Sequence, residues 1–370
     1  MRRVEFALGV AVLLSACAGE LSPDAGVVFT PPDSGVAPPL DAGATEPDAG
    51  VPDAGSAEPD AGVAPMTLTA QGTTLTQPDG GPLDFRGAIS CCGGAYGWPV
   101  FDEAWVDLVV RHKVNFLHAR LGPFLTGVEG ESDWAAIGGG YVEVNGKADL
   151  DRFNEAFFAR VRALLGYARA RGVYVEVDLA DGWAIKHCGN YTGYSAWQPP
   201  ANVQGEDVCG TAGRGALSPR HTAWVRKVVE ETGAFDNVVY QDGNELGLVP
   251  GYRPAWTRGL AQVVRAVEAE RGYVRHLFGT QAGTGAAMAL AEVDFVEQHG
   301  DQAATLAECG NKVCLVNEYN PRPPLTPAQL HAEFCAARRQ GTYFWYWRHE
   351  QSAAQLDATL QLIAQGCPGE

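Results

Sequence analysis

Residues 149–179 read DLDRFNEAFFARVRALLGYARARGVYVEVDL. Phe153, Phe157, Val161, Leu164, Leu165 and Ala168 recur at helical spacing, which predicts an amphipathic helix over 149–171 with one apolar stripe. Arg171-Gly172 ends it, and 173–179 (VYVEVDL) reads as a valine-rich β-strand. A helix that returns to a strand through so short a link is half of a βαβ unit, in which successive strands run parallel.

The same alternation extends in both directions. Candidate strands are 85–90 (FRGAIS), 114–120 (VNFLHAR), 173–179, 237–244 (NVVYQDGN), 274–279 (VRHLFG), 293–298 (VDFVEQ), 313–318 (VCLVNE) and 342–347 (TYFWYW). Ser218-Pro219 and Thr326-Pro327 are N-cap and first-turn signals for helices between them. Eight such units in series predict a closed (β/α)8 barrel, the TIM-barrel form of α/β architecture. The competing doubly wound open sheet has fewer strands and a glycine-rich first turn.

Link lengths divide the two ends of this barrel. Arg171-Gly172 and Gln340-Gly341 suffice to return from helix to strand, whereas the strand-to-helix links 121–148 and 180–217 are long. Links of the second kind form the C-terminal, catalytic face of such a barrel. The second one carries Trp183, Tyr191, Tyr194 and Trp197. These aromatics are expected to line a cleft; the alternative is a surface excursion with a small satellite core.

The chain ahead of the barrel has a different character. Residues 1–17 (MRRVEFALGVAVLLSAC) place two arginines before a short apolar run, the pattern of a secretory signal and too short for a spanning helix. Leu14-Ser15-Ala16-Cys17 resembles the lipobox of bacterial lipoproteins, which implies cleavage before Cys17 and lipid attachment to it. Residues 18–65 repeat Pro-Asp-Ala-Gly at 23–26, 47–50, 52–55 and 59–62. Such a stretch has little to bury and is expected to be an extended, disordered spacer. The predicted organisation is therefore a signal peptide over 1–16, a lipidated cysteine and linker over 17–65, and one barrel domain over 66–370. The location this implies is the cell envelope, at the outer membrane or cell surface, with the lipid as the sole membrane contact.

The net charge of −17 is partly local, because residues 18–65 hold nine acidic and no basic residues. From Met66 onward there remain 25 basic and 34 acidic residues, with no Lys/Arg cluster. That balance argues against a nucleic-acid partner. Besides Cys17 there are eight cysteines, an even number that suits an oxidising compartment. Proximity suggests Cys188 with Cys209, Cys309 with Cys314 and Cys335 with Cys367, and leaves the adjacent Cys91 and Cys92 as a vicinal pair. Neither CxxC spacing nor HExxH occurs, so no structural metal is expected.

Two glutamates close two candidate strands. The fourth strand runs into Asn244-Glu245 and the seventh into Asn317-Glu318. Three βα units apart, they are expected to face each other across the barrel mouth. A carboxyl pair about 5 Å apart is what a retaining glycosidase uses, and a wider gap admits the water of an inverting one. One carboxyl must hold a proton while the other is ionised, so their surroundings must push the two pKa values apart.

With these residues the sequence resembles the clan A glycoside hydrolases, particularly the family 5 (cellulase and mannanase) type, over roughly residues 80–350. The resemblance implies Glu245 as acid/base, Glu318 as nucleophile and Asn244 as donor to the sugar 2-hydroxyl. It also implies an arginine after the second strand, for which residue type favours Arg120 and spacing favours its neighbour His118. A histidine at the end of the sixth strand is matched by His299, but Asp301 stands where a tyrosine is usual. The third strand ends Asp178-Leu179-Ala180-Asp181, without the histidine often found there. A strand-eight tryptophan that floors the sugar subsite is matched by Trp345 or Trp347, which alternation puts on one face. His112, His221 and His331 fall in candidate helices and read as packing or surface residues. The functional expectation is a retaining β-glycosidase acting on an external polysaccharide or oligosaccharide as a monomer. It needs no cofactor, since two carboxyls and water suffice. The rival expectations are a catalytically inactive glycan-binding barrel and a structural or adhesive envelope lipoprotein.

Overall fold

The computed structural model divides the chain into a unit of Met1–Glu58 and a second unit of Pro59–Glu370. It describes residues 64–90, 102–119, 121–123, 139–186, 188, 195–281, 285–299, 309–317, 325–346 and 353–369, with backbone alone at 89–90, 183, 299, 317, 344–346 and 353–356. Cys17, Cys91, Cys92, Arg120, Tyr191, Tyr194, Asp301, Glu318 and Trp347 lie outside the described residues.

Twelve strands are described: β1 (Thr69–Gln71), β2 (Thr74–Thr76), β3 (Gly87–Ser90), β4 (Phe116–Ala119), β5 (Tyr141–Val144), β6 (Lys147–Phe153), β7 (Tyr174–Asp178), β8 (Val238–Gln241), β9 (Phe278–Thr280), β10 (Phe295–His299), β11 (Val313–Asn317) and β12 (Tyr343–Tyr346). Eight of them, β3, β4, β7, β8, β9, β10, β11 and β12, close into one barrel. Every neighbouring pair is parallel, including the β12–β3 pair that closes the ring. The fold is the (β/α)8 barrel, and closure excludes the open-sheet alternative.

The longer helices wrap this barrel: α1 (Glu103–Arg111), α2 (Glu155–Arg169), α4 (Pro219–Thr232), α5 (Pro254–Arg271), α7 (Pro327–Arg339) and α8 (Ala353–Gln365); α3 (Gly182–Lys186) and α6 (Gly285–Met288) are short. Their starts follow the sequence signals. Ser218 and Thr326 each cap a helix whose first residue is proline, and each makes a reciprocal box with the residue three further on. In the first of these, buried His221 accepts from the Ser218 N–H at Nδ1 and donates from Nε2 to the Val208 carbonyl. Burial holds its imidazole down to about 4. Among the described residues no helix is long and apolar enough to cross a membrane.

Two antiparallel hairpins stand outside the barrel. β1–β2 stoppers its N-terminal end, where Leu75 meets Phe116, Val239, Leu277, Phe295 and Leu315. The Leu75 N–H also donates to the Tyr343 hydroxyl at 2.8 Å. β5–β6 corrects the expected helix start: Asp149–Phe153 belongs to a strand, and α2 begins only after Asn154, whose side chain accepts from the Ala156 and Phe157 N–H groups.

Among the described residues three disulfides are formed, Cys188–Cys209, Cys309–Cys314 and Cys335–Cys367. The first lies in the long link after β7. Trp197 of that link does not line a cleft: it is 1% exposed, donates to the Tyr141 hydroxyl at 3.4 Å and packs edge-on against His221. This part of the excursion is packed into the main hydrophobic core, with Trp224 and Trp256 in the same cluster, because Trp197 finds apolar cover and a hydroxyl acceptor together.

Candidate active site at the barrel mouth

The chain leaves β8 as Asp242-Gly243-Asn244-Glu245 and turns sharply. Gly243 has φ 151°, and a Cβ there would sit 2.8 Å from the Ala180 carbonyl oxygen. The turn after the fourth barrel strand is thus pressed onto the turn after the third. Asn244 is buried and forms a parallel bridge with Asp181, and its carbonyl accepts the Gly182 N–H at 2.5 Å. Asp181 in turn accepts the Ala184 N–H at 2.7 Å and so starts α3. Trp183 lies on that helix.

Glu245 is partly exposed and adopts φ 53°, ψ 31°. A left-handed conformation at a non-glycine residue costs on the order of 1–3 kcal/mol and persists only where its surroundings impose it. Two neighbours do so. The Glu245 N–H donates to Gln281 Oε1 at 2.6 Å. On the other side, a Cβ on Gly182 would lie 2.4 Å from the Glu245 carbonyl oxygen, so only glycine allows this approach.

Behind the turn lies Asp242, fully buried. Its carboxyl accepts from the Thr280 hydroxyl at 2.6 Å, the Gln281 N–H at 3.1 Å and the Thr257 hydroxyl. Burial pushes it up to about 7, against the pull of those donors. Tyr252 and Thr257 share a hydroxyl contact of 2.5 Å, which ties the group to α5.

Below the mouth, the barrel interior is polar. His118 on β4 is fully buried and its Nε2 donates to Asp178 Oδ1 at 2.8 Å, with Glu176 Oε1 3.7 Å away. Gln241 on β8 donates to Glu297 on β10, one strand beyond its neighbour β9. Burial, and then the Glu297 carboxyl against it, raise Glu176 well above the usual carboxylate range. Sequence reasoning missed Glu176, Glu297, Gln241, Asp242 and Gln281. Glu176 and Asp178 follow Tyr174, and Glu297 follows Phe295, in steps of two residues on strands whose first members face the barrel floor. A charged residue on that face of an apolar strand was the available signal.

His118, Glu176 and Asp178 bring ligand-type atoms within 4.8 Å of one another. They engage each other: His118 bonds Asp178, and Glu176 faces Glu297. His331, Cys335 and Cys367 form a second such group, but both sulfurs are in a disulfide.

The remaining candidates are placed by backbone. His299 ends β10 in register with Asn317, which ends β11 immediately before Glu318 in the chain. Trp345 lies on β12 opposite Gly87. The structure thus brings Asn244, Glu245 and the last residues of the sixth and seventh barrel strands to the C-terminal end of one barrel.

No family model and no curated protein matches this chain. Solved structures do. A glycoside hydrolase family 5 structure from Bacteroides vulgatus superposes with a TM-score of 0.52 at 11% identity, covering 76% of this chain and 62% of that one. The endo-1,4-beta-mannanase of Rhizomucor miehei matches with a TM-score of 0.51 at 11% identity over 81% of this chain and 98% of its own. The beta-glucanase of Saccharophagus degradans matches with a TM-score of 0.53 at 11% identity over 82% and 94%. What is shared is the fold. The barrel is built like those of glycoside hydrolases. The chain spans less than two thirds of the Bacteroides vulgatus structure and of a second structure from the same bacterium, at 62% and 56%.

Proposed function

We propose that this protein is a retaining glycoside hydrolase acting on a β-linked polysaccharide or oligosaccharide outside the cell. One observation carries the reading: Asn244-Glu245 follows the fourth strand of a closed parallel barrel, and Asn317, followed in sequence by Glu318, ends the seventh. Catalytic groups of this fold sit at the C-terminal ends of the strands. In the proposed mechanism the Glu245 carboxyl donates its proton to the glycosidic oxygen while the Glu318 carboxylate attacks the anomeric carbon. The leaving sugar departs with that proton, and a glycosyl ester on Glu318 remains. Water then gives a proton to Glu245 and its oxygen to the anomeric carbon, which frees Glu318.

Asn244, Arg120, His118, His299, Trp183, Trp345 and Trp347 are proposed to line or support the sugar site. The buried His118 acts from within the barrel wall, through Asp178. Residues 66–370 are proposed as the catalytic domain, exported and held to the envelope by lipid on Cys17 and the repeat-rich linker. The mannanase and β-glucanase folds noted above make β-mannan and β-glucan the first polymers to try.

Reducing-sugar release by the full chain on these polymers tests the reading, with Glu245→Ala and Glu318→Ala beside it. The wild type is expected to release sugar and each variant to lose at least about 100-fold in kcat. Glycan binding without release by the wild type would instead support an inactive, glycan-binding barrel.

A further inference from the structure

We propose that Gln281, on the turn after the fifth barrel strand, is the positioning residue that aims Glu245. The proposal rests on the reading of Glu245 as the acid/base. Glu245 leaves the fourth strand in a left-handed turn that its own sequence does not favour, so its side-chain direction depends on what grips its backbone. Gln281 supplies that grip on the N–H side, through Oε1 at 2.6 Å.

The grip is itself held. Gln281 is 5% exposed, and its backbone N–H donates to Asp242 Oδ1 at 3.1 Å. The other Asp242 oxygen takes the Thr280 and Thr257 hydroxyls. A chain of hydrogen bonds therefore runs from Thr257 on α5 through Asp242 and Gln281 to Glu245. The amide oxygen is the part of Gln281 that this chain needs. A side chain of equal length without an acceptor removes the contact while filling the same space. The Glu245 turn then relaxes, and its carboxyl no longer meets the glycosidic oxygen at proton-transfer distance. Misplacement of a reacting group by about 1 Å costs up to about 100-fold in rate.

The consequence is specific. Proton donation matters for poor leaving groups and hardly at all for very good ones. The test measures kcat/KM of the full chain over aryl β-glucosides, β-mannosides and their disaccharide homologues, from phenyl to 2,4-dinitrophenyl. Gln281→Met is expected to lose about 10- to 100-fold on the phenyl glycosides and to stay within about twofold of wild type on the dinitrophenyl ones. Gln281→Glu, which keeps an acceptor at the same reach, is expected to recover most of that loss. An equal loss across all leaving groups, no loss at all, or a Gln281→Glu protein as impaired as Gln281→Met would overturn the proposal. Should Gln281→Met fail to fold, Gln281→Asn, whose amide is too short for the contact, takes its place with the same expectations. Glu245→Ala runs in the same series. If it shows no leaving-group dependence, the acid/base reading has failed; if it does and Gln281→Met does not, the clamp alone is wrong.

Discussion

Gly182 carries no side chain because there is no room for one. Its Cα faces the Glu245 carbonyl, and an added methyl would lie 2.4 Å from that oxygen and 2.6 Å from the Leu246 nitrogen. Both are backbone atoms, so the clash cannot be relieved by rotating a side chain. Gly182→Ala should therefore shift the turn that presents Glu245. The expected result is a destabilisation of about 1–3 kcal/mol in urea unfolding, with turnover reduced by roughly 10- to 100-fold. A variant of unchanged activity would mean that the Glu245 turn adapts freely. At this same scale Asn244 and Glu245 were legible, because an Asn-Glu pair closing a strand is visible as text. Gln281 and Asp242 were not. What they do depends on a turn from the next barrel strand passing within hydrogen-bond reach, and sequence spacing carries no such distance.

Elements were legible where one periodicity governs them. The strands of the barrel other than β9 and the capped starts of α4 and α7 fall where alternation and Ser-Pro or Thr-Pro put them. Two elements escaped for identifiable reasons. Over 141–153 a hairpin turns at Asn145-Gly146, both with positive φ, which is the strongest short-range hairpin signal; the apolar Phe153 masked it by continuing the spacing of the next helix. Residues 274–277 look strand-like, but β9 spans only Phe278–Thr280, since Arg275 and His276 are held by Asp294 and Glu268 outside the sheet. The β1–β2 hairpin was unforeseen as well, and its role yields a prediction at this scale. Leu75 is the residue it sends against the barrel floor, and it is 1% exposed. Leu75→Ala should cost about 2–5 kcal/mol, as for a fully buried leucine with little room to collapse. Residues at the opposite end of the barrel do not touch Leu75, so turnover per folded molecule should stay near wild type. Guanidinium unfolding together with an activity assay separates the two.

For the whole molecule, the polar barrel interior sets how stability answers to pH. The Asp242 carboxyl titrates at about 7 in the folded chain because it is buried, against about 3.9 for an unperturbed aspartate. Between those values the native state keeps a proton that the unfolded chain has released. Stability is therefore lost as pH rises through this window, and the loss is complete only about one unit above pH 7. Glu176, raised by burial and by Glu297, acts in the same direction. His221 acts in the opposite one: buried and held down to about 4, it stays neutral where an unfolded histidine protonates below about 6.5, so it removes stability as pH falls from there. The opposing terms overlap on the acid side, and above about pH 6.5 the carboxyls dominate. The free energy of unfolding, measured in urea with disulfides intact, should fall between pH 6.5 and 8, by on the order of 1 kcal/mol from Asp242 alone. Asp242→Asn should flatten that fall, because an amide keeps an oxygen for the Thr280 and Thr257 hydroxyls and has no proton to lose in this range. A wild-type curve that rises from pH 6.5 to 8, or an Asp242→Asn curve parallel to it, would show that the interior carboxyls are ionised in the native barrel. The cluster under the mouth would then present negative charge to Glu245, the proposed acid/base, where a protonated interior presents hydrogen-bond donors.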